Sequence, residues 1–260
     1  MALKSAFPAQ FRPIIGDPAQ ACNVVSLTFG RLIDLSMELP QEAYQQKFTD
    51  NDLAIRELEM LLDNQNLSIS TFSVLLEGPE TAELLAKLER ILKRGHLKVT
   101  KFTMSYENQA QVLQVLPHLN PRALRSLSLK TFSWNVELDE IVKLEQWKHL
   151  EELEAPDVPL ELWWNIPKTE MKLKQLKLKD LPRIVEHFRE AADFEQCKMI
   201  TEFNDEEIVE AMGGGAFKCI SGYQFLDIWP TRKVLHIRIL HGTIVVRKES
   251  RIRWHPDSFN

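Results

Sequence analysis

A hydrophobic frame of the form L-x-x-L-x-L recurs along the chain, and such a frame is typical of the short strand in repeat proteins. The clearest copies are Leu124, Leu127, Leu129 and Leu173, Leu176, Leu178. Weaker copies are Leu150, Leu153, Ala155, then Leu67, Ser70, Phe72, then Leu97, Thr100, Phe102, then Phe194, Cys197, Met199. The first positions therefore recur about every 20 to 30 residues, which is the spacing of a solenoid.

Between these frames the apolar residues shift to helical spacing, as expected of crossover helices that join parallel strands. Residues 81–94 give the clearest case, since Leu84, Leu88 and Ile91 share one face and Gly95 follows as a stop. Shorter helical patterns run over 108–116, 136–150, 183–192 and 205–212. The alternation predicts an α/β fold, a leucine-rich-repeat-like solenoid of alternating short parallel strands and helices.

The end of the chain has a different pattern. Apolar and polar residues alternate with period two over 233–239, His241 and Gly242 follow as a turn, and residues 243–247 are again strand-like. This pattern predicts a C-terminal β-hairpin, which we expect to cap the open end of the repeats.

Composition and charge restrict the partners. The 260 residues are 44% hydrophobic and 27% charged, as in an ordinary globular protein, and the formal net charge of −5 argues against nucleic acid as a partner. Cys22, Cys197 and Cys219 fit neither a disulfide framework nor a paired metal site, so we expect a reducing compartment. Neither a signal peptide nor an apolar run of about 20 residues is present, so we expect a cytoplasmic or nuclear protein without a membrane contact.

The sequence carries no motif for catalysis. Its seven histidines lie outside metal-binding spacings, and no nucleophile elbow occurs. Residues 213–215 are three glycines without the Lys and Ser/Thr of a phosphate loop, so we interpret them as a helix stop and not as a nucleotide site. Trp147 follows Ile141 and Leu144 on one helical face, which favours core packing over an exposed base-stacking platform. We therefore predict a protein that is not an enzyme and needs no metal or small-molecule cofactor.

Residues 106–155 carry a resemblance to a known family. They contain Gln109, Leu116-Pro117, Leu119, Pro121 and Leu124, followed by Ile141, Leu144 and the run Glu145-Gln146-Trp147-Lys148. This segment resembles the FTH domain of the nematode F-box proteins, and looser similarity extends over about residues 63–253. His149 stands where that family often has alanine.

The resemblance implies an F-box before the FTH domain, which docks on the Skp-type adaptor of a cullin-RING ubiquitin ligase. The segment that would do so spans residues 7–37, although Pro13 would interrupt its first helix. The expected adaptor-binding residues are Phe7, Pro8, Phe11, Ile14, Ile15, Val24, Val25 and Leu27. The alternative is a helical cap that covers the first repeat.

A protein target is expected on the solvent-facing letters of the strand frames, since repeat proteins of this kind usually bind there. These letters are Lys98, Lys101, Arg125, Ser128, Lys130, Glu151, Glu152, Glu154, Lys174, Lys177 and Lys179. Their charge alternates in blocks, and a complementary charge on the target would set its orientation.

The resulting expectation is an F-box-like helical segment at 1–38, a connecting segment at 39–62 and an FTH-like repeat domain at 63–255. The chain would be a substrate-receptor subunit that contacts the adaptor and cullin complex and holds an unidentified protein target. The alternative function is an interaction scaffold whose F-box is non-functional and which acts without ubiquitin transfer.

Overall fold

The computed structural model describes residues 21–29, 33–38, 43–62, 67–77, 81–131, 137–156, 158–174, 176–212, 223–228 and 233–250. The chain forms two compact units, residues 1–150 and residues 151–260. Both units combine helices with β-strands, so the predicted α/β class is confirmed.

The first unit contains six strands and three α-helices among its described residues. The strands are β1 (Ala21–Phe29), β2 (Ile33–Glu38), β3 (Ala43–Phe48), β4 (Ser68–Leu76), β5 (Lys98–Ser105) and β6 (Ser126–Lys130). The helices are α1 (Asn51–Leu62), α2 (Thr81–Leu92) and α3 (Gln109–Leu113), with 3-10 turns at Leu116–His118, Ile141–Lys143 and Trp147–His149.

The sheet of the first unit has the strand order β6-β5-β4-β1-β2-β3. Strands β6, β5, β4 and β1 are parallel to one another. Beyond β1 the sheet continues with β2, which pairs antiparallel with β1, and β3, which pairs antiparallel with β2. Parallel neighbours need a crossover, and α1 and α2 lie in the connections before and after β4.

The second unit contains six strands and two α-helices in its described part. The strands are β7 (Glu152–Pro156), β8 (Lys168–Lys172), β9 (Gln196–Ile200), β10 (Tyr223–Ile228), β11 (Lys233–Leu240) and β12 (Thr243–Ser250). The helices are α4 (Leu181–Glu190) and α5 (Asp205–Ala211), with 3-10 turns at Leu160–Leu162 and Leu178–Asp180. The strand order is β10-β11-β12-β9-β8-β7, with β7, β8 and β9 parallel and the others antiparallel.

The predicted C-terminal hairpin is confirmed as β11 and β12. Its turn consists of His241 and Gly242, whose φ angles are 50° and 69°. The carboxylate of Asp205, at the start of α5, accepts hydrogen bonds from both backbone N–H groups of this turn, at 3.1 Å from His241 and 2.9 Å from Gly242. The hairpin is therefore tied to α5 as well as to β9.

Strand register identifies the repeated core positions. The triplets Ile69, Phe72, Val74 and Val99, Phe102, Met104 lie side by side on β4 and β5, and Phe102 and Met104 lie beside Leu127 and Leu129 of β6. In the second unit, Leu153 and Ala155 lie beside Thr169 and Met171, which lie beside Cys197 and Met199. All of these residues are buried. The last two core residues of each strand are two positions apart, which places them on the same side of the sheet.

The predicted frames were correct for β6, β7 and β9, correct as strands but shifted in frame for β4 and β5, and wrong at Leu173. On β4 and β5 the predicted frames start two residues too early, so that Ser70 and Thr100 are exposed. The frame at Leu173 is not a strand, because β8 ends at Lys172 and Leu178 starts a 3-10 turn. The structural equivalent on β8 is Thr169 and Met171, which contains no leucine.

The predicted helices were confirmed at α2, α3, α4 and α5, with ends displaced by a few residues. The helix predicted over 136–150 was wrong, since the described residues 137–150 contain two separate 3-10 turns. The helical segment predicted for 1–38 was wrong over Ala21–Phe29 and Ile33–Glu38, which are strands. The segment predicted only as a connection, 39–62, contains β3 and α1. The glycines at 213–215 and residues 1–20 lie outside the described residues.

Candidate protein-binding surface

The outward side of the first sheet carries a row of small hydroxyl side chains. Because side chains alternate along a strand, the neighbours of the buried triplets point away from the core. Strand register places Ser73 of β4 beside Ser26 of β1 and Thr103 of β5, and Thr103 beside Ser128 of β6. Ser26, Ser73 and Thr103 are half-buried, whereas Ser128 is buried. We call these four residues the hydroxyl row.

Basic side chains flank the hydroxyl row on β5 and β6. Lys101 lies on the row before it, between Thr71 of β4 and Ser126 of β6, and Lys130 lies on the row after it, beside Ser105. Lys98, Lys101, Arg125 and Lys130 are exposed, as predicted for a target-binding face. Ser128, which was also predicted to face solvent, is buried at 3% exposure, so that prediction was wrong.

The outward side of the second sheet carries paired charges instead. Glu152 of β7 forms an ion pair with Lys168 of β8 at 2.5 Å, and Glu170 of β8 forms one with Lys198 of β9 at 2.7 Å. Opposite charges on neighbouring strands are a favourable cross-strand pair. Glu152 and Glu154 therefore lie on the outward face of β7, as predicted. On this face Glu152 and Glu170 already form ion pairs with lysines of neighbouring strands.

The lysine block predicted on β8 does not lie on that strand. Lys174 is in a bend after β8, Lys177 precedes a 3-10 turn and Lys179 is within it. All three are exposed, but the side chains that β8 places on its outward face are Lys168, Glu170 and Lys172. The prediction was wrong because the Leu173 frame was taken as a strand. Glu151 is exposed and directly precedes β7.

The predicted adaptor-binding residues divide into two groups. Val25 and Leu27 are 0% and 1% exposed on β1, beside Phe72 and Val74, so they belong to the sheet core and cannot contact an adaptor as predicted. Val24 is half-buried on the opposite side of the same strand. The remaining residues lie outside the described residues: Phe7, Pro8, Phe11, Ile14 and Ile15.

The segment around Trp147 is a structural junction. Trp147 is 7% exposed, which confirms the predicted core position, although it starts a 3-10 turn. Gln146 is 4% exposed, and its Nε2 donates hydrogen bonds to the carbonyl oxygens of Pro117 at 3.2 Å and Leu119 at 2.8 Å. The Glu145-Gln146-Trp147-Lys148 run is therefore hydrogen-bonded to the Leu116-Pro117-His118-Leu119 turn. Both segments belong to the motif pattern over residues 106–155 on which the family resemblance rests.

Both motifs lie within the region that matches a known family. The profile of the FTH domain family matches residues 82–213, which is half of the chain. The chain belongs to the FTH domain family. The FTH match runs from α2 to the end of α5, so it contains β5 to β9 and leaves out β1 to β4 and the C-terminal hairpin. Searches of curated proteins and of solved structures found no match.

Within the FTH match, sequence reasoning missed an aromatic cluster in the second unit. Trp163 is 1% exposed and donates from Nε1 to the carbonyl oxygen of Val158 at 3.0 Å. Trp164 stacks on His187 at 4.2 Å between ring centroids, and the Arg183 guanidinium lies 5.2 Å from the Trp164 ring centroid. A cleft of about 290 Å³ beside this cluster is lined by Val158, Trp163, Lys177, Arg183 and their neighbours.

Two features of the described FTH residues bear on a reaction: metal-binding side chains and a cysteine thiol. These residues contain no group of three or more His, Cys, Asp or Glu side chains arranged to hold a metal ion. Burial raises the pKa of the Cys197 thiol to about 12, so this cysteine is a poor nucleophile at neutral pH. No helix in the described part is long and apolar enough to cross a membrane.

Proposed function

We propose that the chain is a non-catalytic protein-binding module that holds a protein target on the outward strand face of its first unit. The observation that carries the proposal is the hydroxyl row with its flanking basic side chains. In an ordinary α/β sheet with helices on both faces, the strands are buried on both sides and read as continuous apolar runs. Here β4 and β5 are apolar on the core side only and present serine, threonine and lysine on the other, whereas β6 has serine at these positions with both side chains buried.

The repeated register supports a binding role of this kind. A row of short strands presents adjacent side chains at fixed spacings on rigid elements, which is how leucine-rich-repeat-like solenoids bind proteins. We propose that the strand and helix units within each compact unit are of this type. Location in the cytoplasm or nucleus is part of the same proposal, as is a nematode source.

Two forms of this function differ in the adaptor. In the first, the chain is the substrate-receptor subunit of a cullin-RING ubiquitin ligase, and residues 7–15 contact the Skp-type adaptor. In the second, the chain is an interaction scaffold that acts without ubiquitin transfer. The burial of Val25 and Leu27 in β1 favours the second form, because it removes two of the apolar residues that an F-box would offer.

The target face is tested by affinity purification with mass spectrometry from cells of the native organism. Glutamate substitutions at Ser73 and Thr103 place bulky charged side chains in the middle of the hydroxyl row. We expect proteins that are recovered with the unchanged chain to be lost with Ser73→Glu/Thr103→Glu. Ala82→Glu is the matched control, because Ala82 is exposed on α2. Equal recovery with all three chains, at equal melting temperatures, would show that the target binds elsewhere.

The adaptor is tested in the same purification. If the receptor form is correct, Ile14→Asp/Ile15→Asp removes the Skp-type adaptor while the other recovered proteins and the melting temperature stay unchanged. If the scaffold form is correct, the unchanged chain recovers its target without the adaptor. A loss of folding in Ile14→Asp/Ile15→Asp would mean that these residues act as a structural cap.

A further inference from the structure

Strands β4, β5 and β6 carry charge of one sign only. Their sequences contain Lys98, Lys101 and Lys130 and no aspartate or glutamate, and Arg125 directly precedes β6. The chain as a whole has a formal net charge of −5. The basic character of these strands is therefore a local feature that runs against the charge of the whole chain.

A lysine occupies an equivalent strand position in each unit, but only the lysine of the second unit has a carboxylate on a neighbouring strand. Lys101 directly precedes the core residue Phe102 on β5, as Lys168 directly precedes the core residue Thr169 on β8. Lys168 is paired with Glu152 on the neighbouring strand. Lys101 instead has Thr71 and Ser126 as its strand neighbours, so the adjacent strands supply hydroxyl groups and no carboxylate.

Lys98 and Lys101 are both exposed, and neither forms an ion pair within the part of the chain that the structure describes. Two cations on one strand, three residues apart, repel each other, and an anionic group on a partner relieves that repulsion. The hydroxyl group of Thr71, which is half-buried beside Lys101, can donate a hydrogen bond to a carboxylate oxygen, whereas Ser126 on the other side is buried. Charge and hydrogen-bonding capacity on this face thus fit the same kind of partner.

We infer that the outward face of β4, β5 and β6 takes an acidic segment of the protein target. This inference rests on the proposed function, since it names the chemistry of the partner at the same face. Lys98 and Lys101 supply the charge that recognises the carboxylates, and Ser73 and Thr103, the half-buried members of the hydroxyl row on β4 and β5, make the neighbouring polar contacts. The paired face of the second unit lacks this selectivity, because Lys168 and Lys198 already meet Glu152 and Glu170.

The experiment measures fluorescence anisotropy of three labelled probes with the full chain. The probes are a peptide of about twelve residues that alternates Glu and Asp with Ser, its Gln and Asn counterpart, and a single-stranded DNA oligonucleotide. We expect binding of the acidic peptide to exceed that of the neutral peptide and to weaken as salt rises from about 50 to about 300 mM.

The decisive variant is Lys98→Gln/Lys101→Gln, which we expect to weaken binding of the acidic peptide about five- to tenfold, whereas Lys98→Arg/Lys101→Arg retains it. The matched control is Lys168→Gln/Lys172→Gln, which removes the same charge from β8 and is expected to change the affinity less than about twofold. Equal loss in both glutamine variants would show that only overall charge matters and would overturn the inference.

Two other outcomes would also overturn it. Equal binding of the acidic and neutral peptides would show that carboxylates are not recognised. Tighter binding of the oligonucleotide than of the acidic peptide would assign the face to nucleic acid. The proposed function is judged separately: if Ser73→Glu/Thr103→Glu removes the cellular partner while Lys98→Gln/Lys101→Gln leaves it bound, the face binds a protein but not through an acidic segment.

Discussion

The side-chain amide of Gln146 donates a hydrogen bond to the backbone carbonyl oxygen of Leu119 at a distance of 2.8 Å, inside the core of the first unit. The same amide also reaches the carbonyl oxygen of Pro117. Leu119 ends the 3-10 turn at Leu116–His118, so its carbonyl is not satisfied within a helix. A single buried glutamine therefore joins two turns that are far apart in sequence.

Replacing this glutamine tests the junction. We expect Gln146→Ala to lower the free energy of unfolding by about 2 kcal/mol, because the buried carbonyl group of Leu119 and the part-buried one of Pro117 lose their donor. Glu145→Ala is the matched control, since its side chain is exposed and its loss is expected to cost less than about 1 kcal/mol. Urea denaturation followed by circular dichroism measures both. Equal stability of the two variants would show that the amide contributes nothing.

The neighbouring aromatic residue has a packing role. We expect Trp147→Ala to lower the free energy of unfolding by about 3 to 5 kcal/mol, as for other truncations of buried aromatic side chains. The measurement is again urea denaturation, with Lys148→Ala as an exposed neighbour that is expected to stay within about 0.5 kcal/mol of the unchanged chain. If Trp147→Ala kept its stability but lost its protein partner, Trp147 would belong to a binding surface.

The sequence allowed most of the repeated strands and helices to be predicted, and the errors have physical causes. Frames with leucine at each core position gave correct strands at β6, but Leu173, Leu176 and Leu178 have the same letters and lie in a bend and a 3-10 turn. The core side of β8 is instead formed by Thr169 and Met171. Burial of a threonine depends on neighbouring strands, so the pattern of one segment cannot reveal it.

The N-terminal segment shows a similar competition. Its apolar residues Val24, Val25 and Leu27 were interpreted as a helix through the family resemblance, yet β-branched residues favour strands. Pairing of Val25 and Leu27 with Phe72 and Val74 of β4 completes the core of the first unit. The hydroxyl row was missed for another reason. Its members lie on four strands that are brought together only by register, and of these Ser128 alone was among the predicted residues.

The hairpin turn requires glycine at one position. Gly242 has a φ of 69°, and a Cβ atom there would lie 2.8 Å from the carbonyl oxygen of Phe203 and 2.9 Å from that of Thr201. We expect Gly242→Ala to destabilise the chain by more than about 2 kcal/mol in urea denaturation, because strain and a backbone clash add together. His241→Gly at the preceding positive φ is the control, and it should be neutral or stabilising by up to about 1 kcal/mol. Similar losses in both variants would rule out the steric explanation.

Burial should protect Cys197 from alkylation. Its side chain is 0% exposed and burial raises its pKa to about 12, so both access and the thiolate fraction are low at pH 8. We expect iodoacetamide to leave Cys197 unmodified in the folded chain and to modify it in urea, measured by mass spectrometry of the peptide that contains it. Modification of Cys197 at the same rate in the folded and the unfolded chain would contradict the buried position on β9.

Two histidines should make stability depend on pH between about 5 and 7. Burial lowers the pKa of His236 below the ordinary value, and Glu249 and Arg247 act in opposite directions on it. Burial also lowers the pKa of His118, with Glu89 raising it and Lys93 and His96 lowering it further. The unfolded chain therefore binds more protons than the folded chain in this window, so the free energy of unfolding falls as the pH falls.

This pH dependence is tested by urea denaturation at several pH values with the unchanged chain and with His118→Gln/His236→Gln. We expect the decrease in stability from pH 7 to pH 5 to be smaller in the variant, since glutamine does not take up a proton. Hydrogen bonds to lysine hold the pKa values of Asp52, Glu89 and Glu145 below their ordinary range. These three carboxylates therefore do not cause the decrease in stability between pH 7 and pH 5. An unchanged slope in the variant would show that neither histidine is desolvated in the folded chain.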